Sequence, residues 1–172
     1  MTINPPPSTL NLILVMGVAG CGKTTIAKLL AERLDCEYVD GDWLHPQSNV
    51  EKMRGGTPLT DDDRWPWLAA IAARVDELNA QGRGAVVACS ALKRAYRNVL
   101  MGARADARIA YLKGNRETVS ARLGSRDGHF MPPQLLASQF ATLEEPSPDE
   151  RAIVVSIEDP PAAIVEAIVT SL

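Results

Sequence analysis

The sequence has no long apolar run: nowhere do its hydrophobic residues approach the ~20 in succession that a bilayer span needs. Cysteine is scarce. Three occur in 172 residues, and Cys21, Cys36 and Cys89 lie in or beside apolar stretches without metal-ligand spacing. An odd, scattered set of this kind reads as reduced thiols in a cytoplasmic protein, not as a disulfide framework. Basic residues are not in excess either, with 18 against 21 acidic ones and a net charge of −3. That removes the electrostatic case for nucleic acid or an anionic membrane as the main partner. The opening MTINPPPSTL lacks the basic start and apolar core of a secretory leader, so no export signal is expected. There is no internal repeat and no low-complexity linker. What is there is an ordinary globular balance, 46% hydrophobic and 23% charged, long enough for one domain across 1–172 with a real core.

Strand and helix signals alternate along the whole chain. LNLILVM (10–16) is an unbroken apolar run, as a strand covered on both faces requires. Apolar positions at Ile26, Leu29, Leu30 and Leu34 then repeat with helical spacing, and Asp35 ends that helix. Further strands are expected at 36–39, 85–89, 108–112 and 152–157. A long helix is expected within 58–82, with others near 115–125, 133–144 and 160–172, and a short basic one after the third strand. Five buried strands alternating with helices predict a three-layer α/β fold with a five-stranded parallel sheet. Ligands in such folds bind at the carboxyl ends of the strands.

GVAGCGKT (17–24) stands between the first strand and the first helix and matches G-x-x-x-x-G-K-[ST] in the context that motif needs. Gly17, Gly20 and Gly22 let the backbone curl, so that N–H groups of this stretch (Val18, Ala19 and Cys21 included) can face one anion. The helix N-terminus, with Thr25 in its first turn, adds favourable potential. Lys23 would reach the β and γ phosphates of a nucleotide that the motif does not specify, and Thr24 would ligate Mg²⁺. A guanine switch would carry N-K-x-D after a later strand, but KGNRE follows the fourth. The third strand ends in Cys89 and Ser90, so the usual acidic magnesium-orienting residue is missing there.

Carboxylates are instead supplied by YVDGDWLHPQSN (38–49). Asp40 and Asp42 share strand parity, and if extended geometry persists through Gly41 both project from one side. Gly41 would leave clearance for a ligand or for the phosphate loop. Asp40 is placed to hold a magnesium-bound water and Asp42 to take the proton of an acceptor hydroxyl. The division of labour between them stays open on sequence grounds. Thr60 with Asp63 approximates a capping box, so the acidic run Asp61–Asp63 reads as a helix start and not as a metal site.

Three further blocks, DGDWLHPQSNVEKMRGGTPLTDDDRWPWL (40–68), CSALKRAYRNVL (89–100) and RDGHFMPPQLLASQFATLEEP (126–146), complete a resemblance. The chain resembles the gluconate kinases (gluconokinases) of the shikimate-kinase-like and nucleoside-monophosphate-kinase-like P-loop fold. Shikimate kinases carry a glycine triplet after the third strand, where this sequence has CSALK. The resemblance implies ATP-dependent phosphorylation of the 6-hydroxyl of D-gluconate, a homodimer, and a helical lid at about 122–140.

A linear polyol with one carboxylate asks for cations and hydrogen-bonding groups. His45, Lys52 and Arg54 in the first block, and Ser90, Lys93 and Arg97 in the second, are candidates. Trp65 and Trp67 could stack on substrate or serve as packing anchors. In the lid, Arg126 is placed to neutralise charge as the phosphoryl group moves, and Arg122 to stack on adenine or hold the β phosphate. His129 is a further substrate candidate, and Gln139 a lid-side residue without an assigned duty. The loop EDPPA (158–162), with Pro160, is expected to line the adenine pocket. A kinase for another small polyhydroxylated acid, and a nucleotide-binding regulatory module without transferase activity, are the alternatives.

Overall fold

The computed structural model describes residues 10–124 and 133–172. Five strands form one sheet: β1 (Leu12–Met16), β2 (Glu37–Asp40), β3 (Ala85–Ala88), β4 (Ala107–Lys113) and β5 (Ile153–Ser156). All pairings are parallel, in the order β2-β3-β1-β4-β5. This is the sheet the alternating pattern predicts.

β1 lies at the centre and is buried along its whole length. Its residues divide by parity. Ile13 and Val15 face one core with α1 (Lys23–Leu34) and α7 (Pro161–Thr170), which supply Ile26, Leu30, Ile164 and Ile168. Leu12, Leu14 and Met16 face a second core built on α3 (Asp61–Ala80) and α4 (Arg94–Met101), through Leu68, Ile71, Val75 and Leu100. Two apolar faces on one strand explain why the run is unbroken in sequence.

The remaining helices are α2 (Gln47–Arg54), α5 (Arg116–Gly124) and α6 (Pro133–Thr142). Leu136 of α6 is buried in the first core, with Phe140 packed against it. The described helical part of the expected lid range is therefore anchored on the body.

The chain leaves β1, pairs β2 beyond β3, returns, and then adds β4 on the other side. The reversal places a crevice at the carboxyl end of β1, between β3 and β4. Register sets the depth of what stands there: Asp40 pairs with Ala88, and Val15 with the same Ala88. Asp40, the residues after Ala88 and Gly17 consequently emerge at one level.

Helix ends follow local chemistry. Asp35 closes α1 in the left-handed region, at φ 53°, with its N–H on the Ala31 and Glu32 carbonyls. Thr60 opens α3 with the expected capping box, reciprocal with Asp63 at 2.9 and 3.2 Å. Thr60→Ala is expected to lower stability by about 1 kcal/mol. Thermal unfolding would show this as a Tm lower by roughly 2–4 °C.

Candidate active site

The phosphate-loop backbone takes a form that only glycine accommodates at key points. Gly20 sits at φ +79°, and a Cβ there would lie 2.6 Å from the Leu123 side chain of α5. A Cβ on Gly17 would meet Cys21 Sγ at 2.6 Å and the Leu112 carbonyl at 2.9 Å. Gly22 then enters α1 at φ +96°. Val18 and Cys21 are buried, so their contribution to a bound anion is through the backbone. Thr24 and Thr25 stand exposed in the first turn of α1. The Lys23 ammonium donates to the Val18 carbonyl at 3.0 Å, folded over the loop. A glycine-shaped loop, a helix N-terminus and a lysine over it fit a polyphosphate.

A metal ion would find one carboxylate and one hydroxyl beside this loop. The Tyr38 hydroxyl donates to Asp40 Oδ2 at 3.1 Å and also interacts with the Thr24 side chain. Thr24 and Asp40 thus converge on one phenol. Burial first, and the Asp40 charge second, push that phenol up to about 12. Among the described residues no group of three or more His, Cys, Asp or Glu side chains could hold a metal alone. Two protein oxygens with phosphates and waters suit Mg²⁺, which dehydrates reluctantly.

Extended geometry does not persist through Gly41, contrary to the parity argument. β2 stops at Asp40 and a 3₁₀ turn begins at once, Gly41–Leu44, capped by Asp40 Oδ1 accepting from the Asp42 N–H at 2.9 Å. The clearance at Gly41 also serves a different neighbour. A Cβ there would stand 2.9 Å from the Ala88 carbonyl and 3.2 Å from Ile71 Cδ1. The glycine admits β3 and α3, not a ligand. The turn separates the two aspartates, with Asp40 held inward by Tyr38 and Asp42 carried outward to line a cavity.

That cavity, about 430 Å³, is lined by polar Asp42, His45, Thr57, Arg64, Ser90 and Gln139 and by apolar Trp67, Leu92 and Leu135. It borders the phosphate loop through two contacts. The Gly17 N–H donates to the Ser90 carbonyl at 3.3 Å, and the Ala19 N–H donates to Gln139 Oε1 at 2.6 Å.

His45 stacks on Trp67, ring centroids 4.1 Å apart at 14°. Trp67 is a packing anchor, buried and donating Nε1–H to the Gly41 carbonyl at 2.7 Å. Trp65 lies edge-on to Tyr96 at 5.7 Å.

The expected cations are elsewhere. Arg97 is 1% exposed and fully engaged. It makes two bonds to Glu150 at 2.7 and 3.1 Å, and its Nη1 donates to the Ala91 and Leu92 carbonyls. It cannot reach a substrate, which corrects the expectation; its place is to brace the loop that carries Ser90. Lys52 is paired with Asp63 at 2.8 Å, and Lys93 with Asp61 at 3.3 Å. Arg54 is exposed on the last turn of α2. None of these four lines the cavity.

Among the described residues the arginine that lines the cavity is Arg64, which the sequence reading missed. Its Nη1 bonds Asp61 at 3.5 Å and the Tyr96 hydroxyl at 3.2 Å, and its guanidinium lies 5.5 Å from the Tyr96 ring centroid. It was hidden as one more charge in the acidic start of α3, although the fourth position of a capped helix is rigidly placed. Tyr38 and Asn49 are further side chains at the site that the sequence reading did not single out, and Gln139 reaches the phosphate loop from 120 positions away.

In the last turn of α5, an Arg122 guanidinium nitrogen donates to the Ile157 carbonyl, so α5 meets the loop ahead of Pro160, the N-cap of α7. Arg126 and His129 lie outside the described residues.

Residues 12–146, from β1 past α6, match the family described as AAA domain. The gluconokinase of Gluconobacter oxydans is 48% identical over 157 residues, 91% of this chain and 88% of that one. The thermoresistant gluconokinase of Escherichia coli is 40% identical, over 90% of this chain and 89% of that one. A solved gluconokinase structure from Sinorhizobium meliloti superposes with a TM-score of 0.83 at 43% identity, covering 92% of this chain and 89% of that one. With that level of identity across nearly the whole length, and a phosphate loop abutting an acceptor-sized cavity, the chain belongs to the gluconokinase family.

Proposed function

We propose that the chain is a gluconokinase that transfers the γ-phosphoryl group of ATP to the 6-hydroxyl of D-gluconate. The observation that carries this is the shared wall between the phosphate loop and a cavity holding a carboxylate, a neutral donor and an arginine. Asp42 is the general base that takes the hydroxyl proton. Ser90 and His45 bind substrate hydroxyls, and Arg64 the substrate carboxylate, a planar pairing that suits a guanidinium. Lys23 and the backbone amides of the loop and first helical turn that are not engaged within the protein hold the β and γ phosphates. Mg²⁺ on Thr24 and Asp40 would offset the phosphate charge. Arg122 and Pro160 flank the adenine side.

Arg126 and His129 belong to the same proposal as residues of a lid, about 122–140, that neutralise charge and exclude water. So do a single domain across 1–172, a homodimer, and a cytoplasmic setting without nucleic-acid or membrane partners. No described helix is long and apolar enough to cross a membrane.

The test is ADP release with ATP and Mg²⁺ against gluconate, related sugar acids and uncharged polyols. Gluconate is expected to be preferred over its uncharged analogue, because only a carboxylate can make a charge-assisted pairing with Arg64. Arg64→Gln should raise the gluconate KM by roughly ten- to a hundredfold and erase that preference. Equal rates for all acceptors, or for none, would reject the assignment.

A further inference from the structure

Asn49 is the most buried uncharged polar side chain of the site, 2% exposed, and nothing above gives it work. It lies on α2, between His45 and the start of α3. Its Nδ2 donates to the Asp63 carbonyl at 2.9 Å. A backbone carbonyl can only accept, so the amide orientation is fixed by chemistry and not by choice. The same Nδ2 lies 3.3 Å from His45 Nδ1. An NH₂ group facing a ring nitrogen is tolerated only if that nitrogen offers its lone pair. Nδ1 is therefore unprotonated, and the proton of the neutral ring sits on Nε2.

The ring has little freedom to escape this arrangement. Trp67 stacks on its face at 4.1 Å, and Trp67 is itself pinned to the Gly41 carbonyl at 2.7 Å. Asp63, which anchors Asn49, is tied to Thr60 and Lys52.

We propose that Asn49 is a positioning residue that locks His45 in its Nε2–H tautomer, so that the neutral ring donates one hydrogen bond from Nε2 to a substrate oxygen. The inference rests on the reading of this cavity as the acceptor site.

Neutrality has a chemical use here. An imidazolium would pair with Asp42 and occupy the lone pairs that a general base needs. A neutral donor orients the acceptor without doing so. Two charged groups face the ring, Asp42 from the 3₁₀ turn and Arg64 from α3. Burial, the largest influence, lowers the histidine below its ordinary 6.5; Asp42 opposes this and Arg64 adds to it. Protonation would also drive Nδ1–H against the Asn49 amide.

Nitrogen-15 NMR of the labelled, substrate-free protein tests the tautomer directly. The chain has two histidines, and His45→Gln assigns the signals. The expected spectrum shows His45 with Nε2 protonated, Nδ1 bare, and a titration midpoint below 6.5. Added gluconate should shift Nε2 more than Nδ1.

Asn49→Asp replaces the donor with an acceptor. It should raise the His45 midpoint, turn the neutral ring to Nδ1–H, and increase the gluconate KM at neutral pH by about tenfold, the worth of one hydrogen bond. That KM should then improve as pH falls through the raised midpoint, because only the imidazolium again carries a proton on Nε2. The wild-type KM should show no such improvement, and a merely structural asparagine would not reverse the dependence.

A wild-type His45 protonated on Nδ1, or an unmoved midpoint in Asn49→Asp, overturns the proposal. Should the variant not fold, the wild-type spectrum decides alone. The spectrum needs no substrate, so it stands apart from a failure of the gluconate assignment, which would appear as no acceptor-dependent ADP release.

Discussion

Asp42→Asn lowers kcat and kcat/KM together by about 10²–10⁴-fold, the usual worth of a positioned general base. The substitution is nearly isosteric, and the turn it sits in does not depend on its carboxylate. What caps the turn is Asp40, through the backbone N–H of residue 42, which asparagine retains. The fold should therefore be unchanged, and circular dichroism and Tm should match the parent. Asp40→Asn provides the contrast. Asp40 caps the turn and receives the Tyr38 hydroxyl, and its proposed duty is to the metal. Its loss of rate should be partly restored by raising Mg²⁺, whereas the Asp42→Asn defect should not respond. Near-normal turnover in Asp42→Asn would move the base elsewhere.

Arg97→Ala is expected to cost about 3–5 kcal/mol, because it leaves Glu150 buried without its partner. In a chain of this size the Tm would fall by roughly 6–20 °C. The pair is almost sealed, with side-chain exposures of 1% and 7%. Burial pushes the Glu150 carboxyl up, but the Arg97 and Ser147 hydrogen bonds outweigh it and hold the group below its ordinary 4.5.

The sign of the pH dependence follows. A carboxylate whose folded pKa is depressed contributes stability above the unfolded value, and that contribution is lost as pH falls through the folded one. Acid unfolding of the parent should therefore steepen below about pH 4.5, and the Arg97→Ala variant should lack that component. Replacing both partners with methionine should recover most of the stability. The double variant would still lose the carbonyl contacts to Ala91 and Leu92, so reduced turnover with near-normal Tm would identify Arg97 as a brace for the Ser90 loop. Equal Tm for Arg97→Ala and the parent would contradict this account.

The contrast between these two residues shows what the sequence could convey. The fold was legible because its determinants are local or periodic. β1 is apolar on both parities because it has a core on each face, and Thr60 and Asp63 form their cap within four residues. The phosphate loop was legible for the same reason, since strand, glycines and lysine are contiguous. His45 and Ser90, singled out with their unusual blocks, both line the cavity.

Arg97, Lys52 and Lys93 stand on carboxylates and do not line the cavity, because a cation's position depends on what faces it across space. Glu150, Asp63 and Asp61 lie 53, 11 and 32 positions away. Arg64 was missed for the converse reason, surrounded in sequence by acids at the start of the helix, although its side chain lines the cavity. The parity argument for Asp40 and Asp42 failed at one bond. The chain turns into a 3₁₀ segment at residue 41, beside an Ala88 carbonyl that a Cβ would strike, and no pattern in YVDGDW records that neighbour.

The central claim is that two substrates meet across Asp42, with ATP on the phosphate loop and gluconate in the adjoining cavity. The most direct measurement incubates the protein with ATP, Mg²⁺ and carbon-13-labelled gluconate and reads the products by phosphorus and carbon NMR. The account predicts one ADP per molecule of a single phosphate monoester at the 6-oxygen. ADP formed at the gluconate-independent rate, or phosphate attached to any other oxygen, would contradict it.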